Sequence, residues 1–201
     1  MKKYLALGLA MGVCLSLSPA ASAGYGSISG MVGMKSGAEA AKGGFYSEAD
    51  FWYNLNSVVA FGTGVGFSSY DGLDDVGKFM MIPALLNMRI STPTDRVKFY
   101  GEGGVGYYFF DFKMDPSITS ELAAYGIDGE VDFESTTGTH FGGGMLVALG
   151  RSTVLGLSVR RVSVQPQATV TLRDSFGQSL TLSGTSDQSS TVYGLNLSVK
   201  F

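Results

Sequence analysis

Apolar residues recur at every second position in six stretches of the chain, the period of a strand with one apolar face. The last stretch is the most regular. Tyr193, Leu195, Leu197, Val199 and Phe201 alternate with Val192, Gly194, Asn196, Ser198 and Lys200. Val59, Phe61, Val65 and Phe67 oppose Ala60, Gly62, Gly64 and Gly66. Met80, Ile82, Ala84, Leu86, Met88 and Ile90 oppose Asn87 and Arg89, and Val97, Phe99, Val105, Tyr107 and Phe109 oppose Lys98, Tyr100, Glu102 and Gly104. Phe141, Met145, Val147 and Leu149 oppose His140, Gly142 and Gly144, while Leu155, Leu157 and Val159 oppose Ser158 and Arg160. The rhythm is weaker over 27–35 and 45–53.

Short connections at 54–57, 92–96 and 150–152 alternate with longer polar ones at 36–42, 71–77, 113–137 and 173–178. This predicts eight strands, with four long loops on one side and three tight turns plus both chain ends on the other. Barrels of the bacterial outer membrane have this asymmetry, with the short turns in the periplasm. The longest loop carries a helix signal: Asp115 is placed to cap it, Pro116 to fill its first position and Gly126 to end it.

Alternation alone does not say which face is wet. In a soluble barrel or sandwich the apolar face points inward. Here the opposite face is mostly Gly, Ser, Ala and Asn with a few charges; a soluble barrel of this size would have no large side chains to fill its centre, whereas an inverted barrel needs none because lipid takes the apolar face. With the apolar face in lipid, closure of the sheet leaves no unpaired backbone edge in hydrocarbon. The longest apolar run, 79–86, is far short of the roughly 20 residues a membrane-spanning helix needs. The expected fold is therefore all-β, an eight-stranded antiparallel up-and-down transmembrane β-barrel over residues 24–201.

Residues 1–23 have the layout of a secretory signal peptide. Lys2 and Lys3 precede the apolar run 4–17, Pro19 breaks it, and Ala21-Ser22-Ala23 is a small-x-small cleavage site. A lipid anchor at Cys14 is disfavoured by Val13, where a small residue is wanted. Cleavage removes two lysines from a chain of net charge −3, leaving −5, and removes the single Cys. An acidic balance argues against nucleic-acid binding. One Cys excludes a disulfide framework and a multi-Cys zinc site.

Pro83-Ala84-Leu85-Leu86, a short turn, and Phe99-Tyr100-Gly101-Glu102-Gly103-Gly104-Val105-Gly106-Tyr107 resemble the fourth and fifth strands of small outer-membrane barrels, nearest the outer-membrane protein W family. The segment from Gly142 through Gly150 to Val164 resembles that family's sixth and seventh strands. The outer-membrane protein X and opacity group fits nearly as well. The first resemblance implies a narrow barrel passing small hydrophobic molecules outward into the bilayer; the second implies surface loops used in adhesion.

Several residues invite chemical readings. Gly101, Gly103 and Gly106 spell G-x-G-x-x-G, but the segment that follows continues as strand rather than opening a helix, so a dinucleotide site is rejected. The sequon at Asn196 lies within the terminal strand and is rejected too. Asp71, Asp74 and Asp75 offer oxygen ligands for Ca²⁺ or Mg²⁺, without the spacing of a known site, and read as a solvated loop. His140, the single imidazole, is expected inward near the outer end of its strand, either as a rim residue or as the centre of a lipid A-modifying enzyme. No cofactor or metal is expected. Arg89, Lys98, Glu102, Arg160 and Lys200 fall on the inward face, where charges must be paired or hydrated. Glu102 is expected almost opposite Asn87, one diagonal step from Arg89, bridging Arg89 and Arg160 in a network that plugs the barrel. Tyr193, Leu195, Leu197, Val199 and terminal Phe201 resemble the signal read by the barrel-assembly machinery. The expected function is a non-enzymatic outer-membrane barrel, either a conduit for small hydrophobic molecules or a surface-loop interaction protein. The alternative is the His140 enzyme. Outer-membrane lipid and lipopolysaccharide are the expected surroundings.

Overall fold

The computed structural model describes residues 24–36, 41–72, 76–94 and 96–201. Residues 1–23, together with Asp74 and Asp75, lie outside them. Eight strands form a closed antiparallel wall: β1 (Tyr25–Lys35), β2 (Ala41–Asn54), β3 (Val59–Gly72), β4 (Gly77–Ser91), β5 (Val97–Met114), β7 (Thr136–Ala148), β8 (Thr153–Ser163) and β11 (Ser190–Lys200). Three more, β6 (Ile127–Phe133), β9 (Gln167–Asp174) and β10 (Ser179–Thr185), form a separate sheet in the order β10-β9-β6. Neighbouring wall strands follow one another along the chain except where this sheet and α1 (Pro116–Ala124) are inserted. The cylinder closes where β1 pairs with β11, from Ser27↔Lys200 to Lys35↔Val192.

The alternation places side chains as expected. Val32, Phe99, Phe141, Leu157 and Leu195 point away from the lumen and are each more than half exposed. Their opposite neighbours Met31, Tyr100, His140, Ser158 and Arg160 are buried. Among the described residues no helix is long and apolar enough to cross a membrane.

The helix also forms where its cap is written. Asp115 Oδ1 accepts from the Ser117 amide at 2.9 Å and from the Ser117 hydroxyl at 2.6 Å. These bonds hold the carboxyl below its usual range. Pro116 opens the helix and Gly126 follows it at φ 71°.

Two expectations need correction. The segment 173–178 is not the loop joining two wall strands. It is the tip of the β9–β10 hairpin, which has already left the wall. The wall ladder stops at Ser163, and Pro166, which has no N–H to donate, marks the departure. The Ser186 amide donates to the Pro166 carbonyl at 2.9 Å and so pins the hairpin's base. Apolar alternation continues through Val170, Leu172, Leu180 and Leu182, so periodicity could not separate a wall strand from an extension of it. The second correction concerns 113–137, which contains a strand, β6, as well as the helix. Its alternation is carried by Asp128, Glu130 and Asp132 against Ile127, Val131 and Phe133.

A charge on the outer face should be costly only at membrane depth. Val159→Arg should lower unfolding free energy in lipid vesicles by about 2–4 kcal/mol. Thr171→Arg, in the separate sheet, should change it by less than about 0.5 kcal/mol. Equal effects in denaturant titrations would show that the outer face is not in lipid.

Candidate functional site in the barrel interior

The lumen is filled in layers. The inward face of β2 supplies Tyr46, Glu48, Asp50 and Trp52, all buried. The facing strand β3 supplies glycines, with register pairs Trp52↔Gly62, Asp50↔Gly64 and Glu48↔Gly66. A Cβ at Gly62 would lie 2.7 Å from the Trp52 ring. At Gly104 it would lie 2.8 Å from His140 Nε2. These glycines are sockets for large neighbours, and the interior is not lined by small residues alone. That corrects the expectation drawn from glycine-rich inward faces. Tyr100 and Tyr108 add to the filling from β5.

The middle layer is ionic. Glu102 Oε2 accepts from Arg89 Nε at 3.2 Å and Nη2 at 2.8 Å. Glu102 Oε1 accepts from Arg160 Nε at 3.1 Å and Nη2 at 2.8 Å. One carboxylate therefore bridges two guanidiniums, each giving two charge-assisted N–H bonds to a single oxygen. Arg160 Nη1 donates to Glu48 Oε2 at 2.5 Å, and the Tyr46 hydroxyl donates to the same oxygen. The Arg89 guanidinium is sandwiched by aromatic rings, 3.8 Å from the Trp52 centroid and 4.4 Å from that of Tyr100.

Glu102 faces Arg89 directly across the β4–β5 ladder, and Asn87 faces Gly104. The expected register was two residues off, because the turn at 92–96 was taken as tighter than it is. Lys98 donates to the Ser57 carbonyl at 3.0 Å. With Tyr25, Asn54, Arg89 and Lys200 it lines a cleft at the mouth beside the short turns.

A polar chain continues from the ionic layer. Trp52 Nε1 donates to Ser29 Oγ at 3.1 Å, and Ser29 Oγ donates to Asp50 Oδ2 at 3.3 Å. Asn87 Nδ2 donates to Asp50 Oδ1 at 3.4 Å, which leaves Asn87 Oδ1 as the acceptor facing His140 Nε2 at 2.6 Å. That arrangement puts the imidazole proton on Nε2. His140 is 3% exposed, so it is an interior residue and not a rim one.

Glu48 and Asp50 were missed in the sequence. Outward Phe45, Phe51 and Tyr53 alternate with inward Tyr46 and Trp52, and aromatics on both faces hide the period of two. Two acidic residues two positions apart in such a segment were the available signal.

Above the ionic layer lies an aromatic one. Tyr70 stacks on Phe79 with centroids 5.3 Å apart. Phe79 also meets Phe112 at 4.7 Å and Phe133 at 5.0 Å. Phe133 belongs to β6, so the separate sheet is packed onto the end of the lumen. Among the described residues no cluster of three His, Cys, Asp or Glu side chains is placed to hold a metal. The stripe Tyr193, Leu195, Leu197, Val199 and Phe201 faces outward, each residue at least half exposed.

A closed eight-strand antiparallel wall, apolar outside and charged within, with short turns at one end and an elaborated sheet at the other, defines a transmembrane barrel. Three solved structures share the fold. OprG from Pseudomonas aeruginosa superposes with a TM-score of 0.70 at 15% identity, over 89% of this chain and 96% of that one. A major outer membrane protein from Thermus thermophilus gives 0.61 at 14% identity, over 90% and 100%. AlkL, solved in lipid bilayers, gives 0.57 at 19% identity, over 92% and 95%. No protein-family model and no curated protein sequence matches the chain. The protein has the fold of the small eight-stranded β-barrels of the bacterial outer membrane.

Removing one member of the ionic layer should strand its partners. Arg160→Met should cost about 3–5 kcal/mol, because it leaves buried carboxylates without their cation. Adding Glu48→Leu should recover part of that loss. Denaturant unfolding in detergent measures both, and an additive double variant would mean that the two side chains are not coupled.

Proposed function

We propose that the protein is a non-enzymatic conduit that takes small hydrophobic molecules from the cell exterior and delivers them sideways into the bilayer, as the resemblance to the W family implies. The observation that carries this reading is a lumen that is apolar at its outer end and blocked at its middle. Leu172, Val170 and Val131 on the separate sheet lead to Phe133, Phe112 and Phe79. Val131 and the three phenylalanines form a packed cluster, and beyond it lies the layer of Arg89, Glu102, Arg160 and Glu48, where a hydrophobic solute gains nothing by continuing. Beside that layer the wall ladder is interrupted. The β3–β4 register runs to Val65↔Ala84 and resumes at Ser68↔Met81, with the gap falling on Pro83. Proline lacks the N–H that would close it. The strands keep one register across it and Pro83 is fully buried, so in this reading the wall parts here to release a solute held above the charges.

The interior network Arg89, Glu102 and Arg160, extended by Glu48, acts in this reading as the plug that denies ions and water a path. Lys98 belongs to the mouth below it. An eight-stranded barrel is in any case just wide enough for its own side chains. The competing enzymatic reading has little to draw on. His140 Nε2 is engaged by an amide, and its strand neighbours Thr137 and Thr139 point outward, away from it. Residues 1–23 serve export in this proposal, and the outward stripe ending at Phe201 serves recognition by the assembly machinery. Lipid and lipopolysaccharide surround the wall. A second reading, contact through the surface sheet, draws on Leu180 and Leu182, exposed on the free-edge strand β10.

Cells carrying the barrel should take up the hydrophobic probe N-phenylnaphthylamine faster than cells without it. Phe79→Lys should bring uptake down to the level of cells lacking the barrel, and planar bilayers should show no ionic steps. Ionic steps, or uptake indifferent to the barrel, would rule out the conduit; the latter would favour surface contact. His140→Ala should leave the lipid A mass profile unchanged.

A further inference from the structure

Lys35 ends β1 inside the wall and is 3% exposed. Its ammonium lies 3.7 Å from the centroid of the Tyr70 ring and 4.0 Å from Met81 Sδ. Among the described residues no carboxylate stands within ion-pair distance of it. A ring face and a thioether offset only part of the cost of removing an ammonium from water. Arg89 and Arg160, a little deeper in the same lumen, are each matched to a carboxylate. Ionisable groups within a membrane protein that lack a structural partner mark functional positions.

Two buried hydroxyls on strands near this ammonium, Ser68 and Ser190, have no hydrogen-bond partner among the described residues. Their register places them around Lys35. Ser190 lies two positions from Val192, the β11 partner of Lys35. Ser68 lies two positions from Tyr70, whose ring the ammonium covers. Both point inward, as their burial shows. One cation and two hydroxyls thus lie beside the Tyr70 edge of the aromatic cluster of Tyr70, Phe79, Phe112 and Phe133.

We infer that this layer recognises the anionic head of an amphiphile of the fatty-carboxylate class. The head sits at Lys35, and the apolar body runs outward past Phe79 and Phe112. An ionised carboxylate offers about four acceptor sites, which suits an ammonium and neighbouring hydroxyls that have donors to spare. Burial of the pair makes the charge-assisted bonds strong. Gln188 is fully buried, and its Oε1 accepts from the Tyr70 hydroxyl at 3.2 Å. It covers the layer from the β11 side and is the side chain an arriving head would displace. The inference rests on the conduit reading and narrows it: the molecules taken are those with one negative end.

Equilibrium dialysis of the purified full barrel in one detergent tests it, with octanoate, octanol and butanoate as probes. Octanoate should bind about tenfold more tightly than octanol. Lys35→Met should remove that preference, and Lys35→Arg should keep it. Lys35→Met removes an unpaired buried charge, so it should remain heat-modifiable on gels; Lys35→Gln supplies the same comparison if it does not. Equal binding of octanoate and octanol, or a preference that survives Lys35→Met, would overturn the inference while leaving the apolar path in place. Butanoate binding as tightly as octanoate would reduce the site to a plain anion site and also overturn it. If none of the three binds, the conduit reading falls with it.

Discussion

A peptide group facing hydrocarbon has no water to bond, so each amide and carbonyl of a membrane-crossing strand must find its partner in a neighbouring strand. In this chain that requirement is met by joining the first wall strand to the last, from Ser27↔Lys200 to Lys35↔Val192. Everything else follows from that ladder. Once it closes, side chains have two destinations, lipid or lumen, and the period of two assigns each residue to one of them. Phe99, Leu157 and Leu195 can be left uncovered because lipid covers them. Arg89, Glu102 and Arg160 are sent to a space too narrow to hydrate them generously, so they must satisfy one another.

The interior shows how a narrow cylinder is filled without strain. Large and empty positions face each other across adjacent strands: Trp52 against Gly62, Asp50 against Gly64. Glu102 is shared by two guanidiniums, and Arg160 is shared by two carboxylates. Such a layer is expensive to desolvate and gains most of its worth from completeness. It divides the lumen into a basic mouth below and a packed aromatic cluster above.

That division gives the molecule an axis. The end carrying the short turns is polar and lined by Lys98, Lys200 and Arg89. The other end is enlarged by α1 and by the three-stranded sheet, whose Phe133 packs on Phe79 and Phe112. The surface sheet and the upper lumen thus share one apolar core. The interruption at Pro83 and the isolated ammonium of Lys35 lie at the level where this core meets the charges.

The wall was legible in the sequence because lipid on one side enforces a clean alternation, and because turn length differs between the two ends. The inward placement of His140 and of the pair Glu102 and Arg160 could be read the same way, as could the helix cap at Asp115. What periodicity does not carry is register and the partner across the lumen. The offset that sets Glu102 against Arg89, and not Asn87, depends on the turn between β4 and β5. Glu48 reaches Arg160 across 112 residues of chain, and its strand hid its faces behind aromatics on both sides. The departure of β9 and β10 from the wall was equally hidden, because an extended hairpin alternates just as a wall strand does. Local chain chemistry decides which face a residue takes; only closure of the cylinder decides which residue it meets.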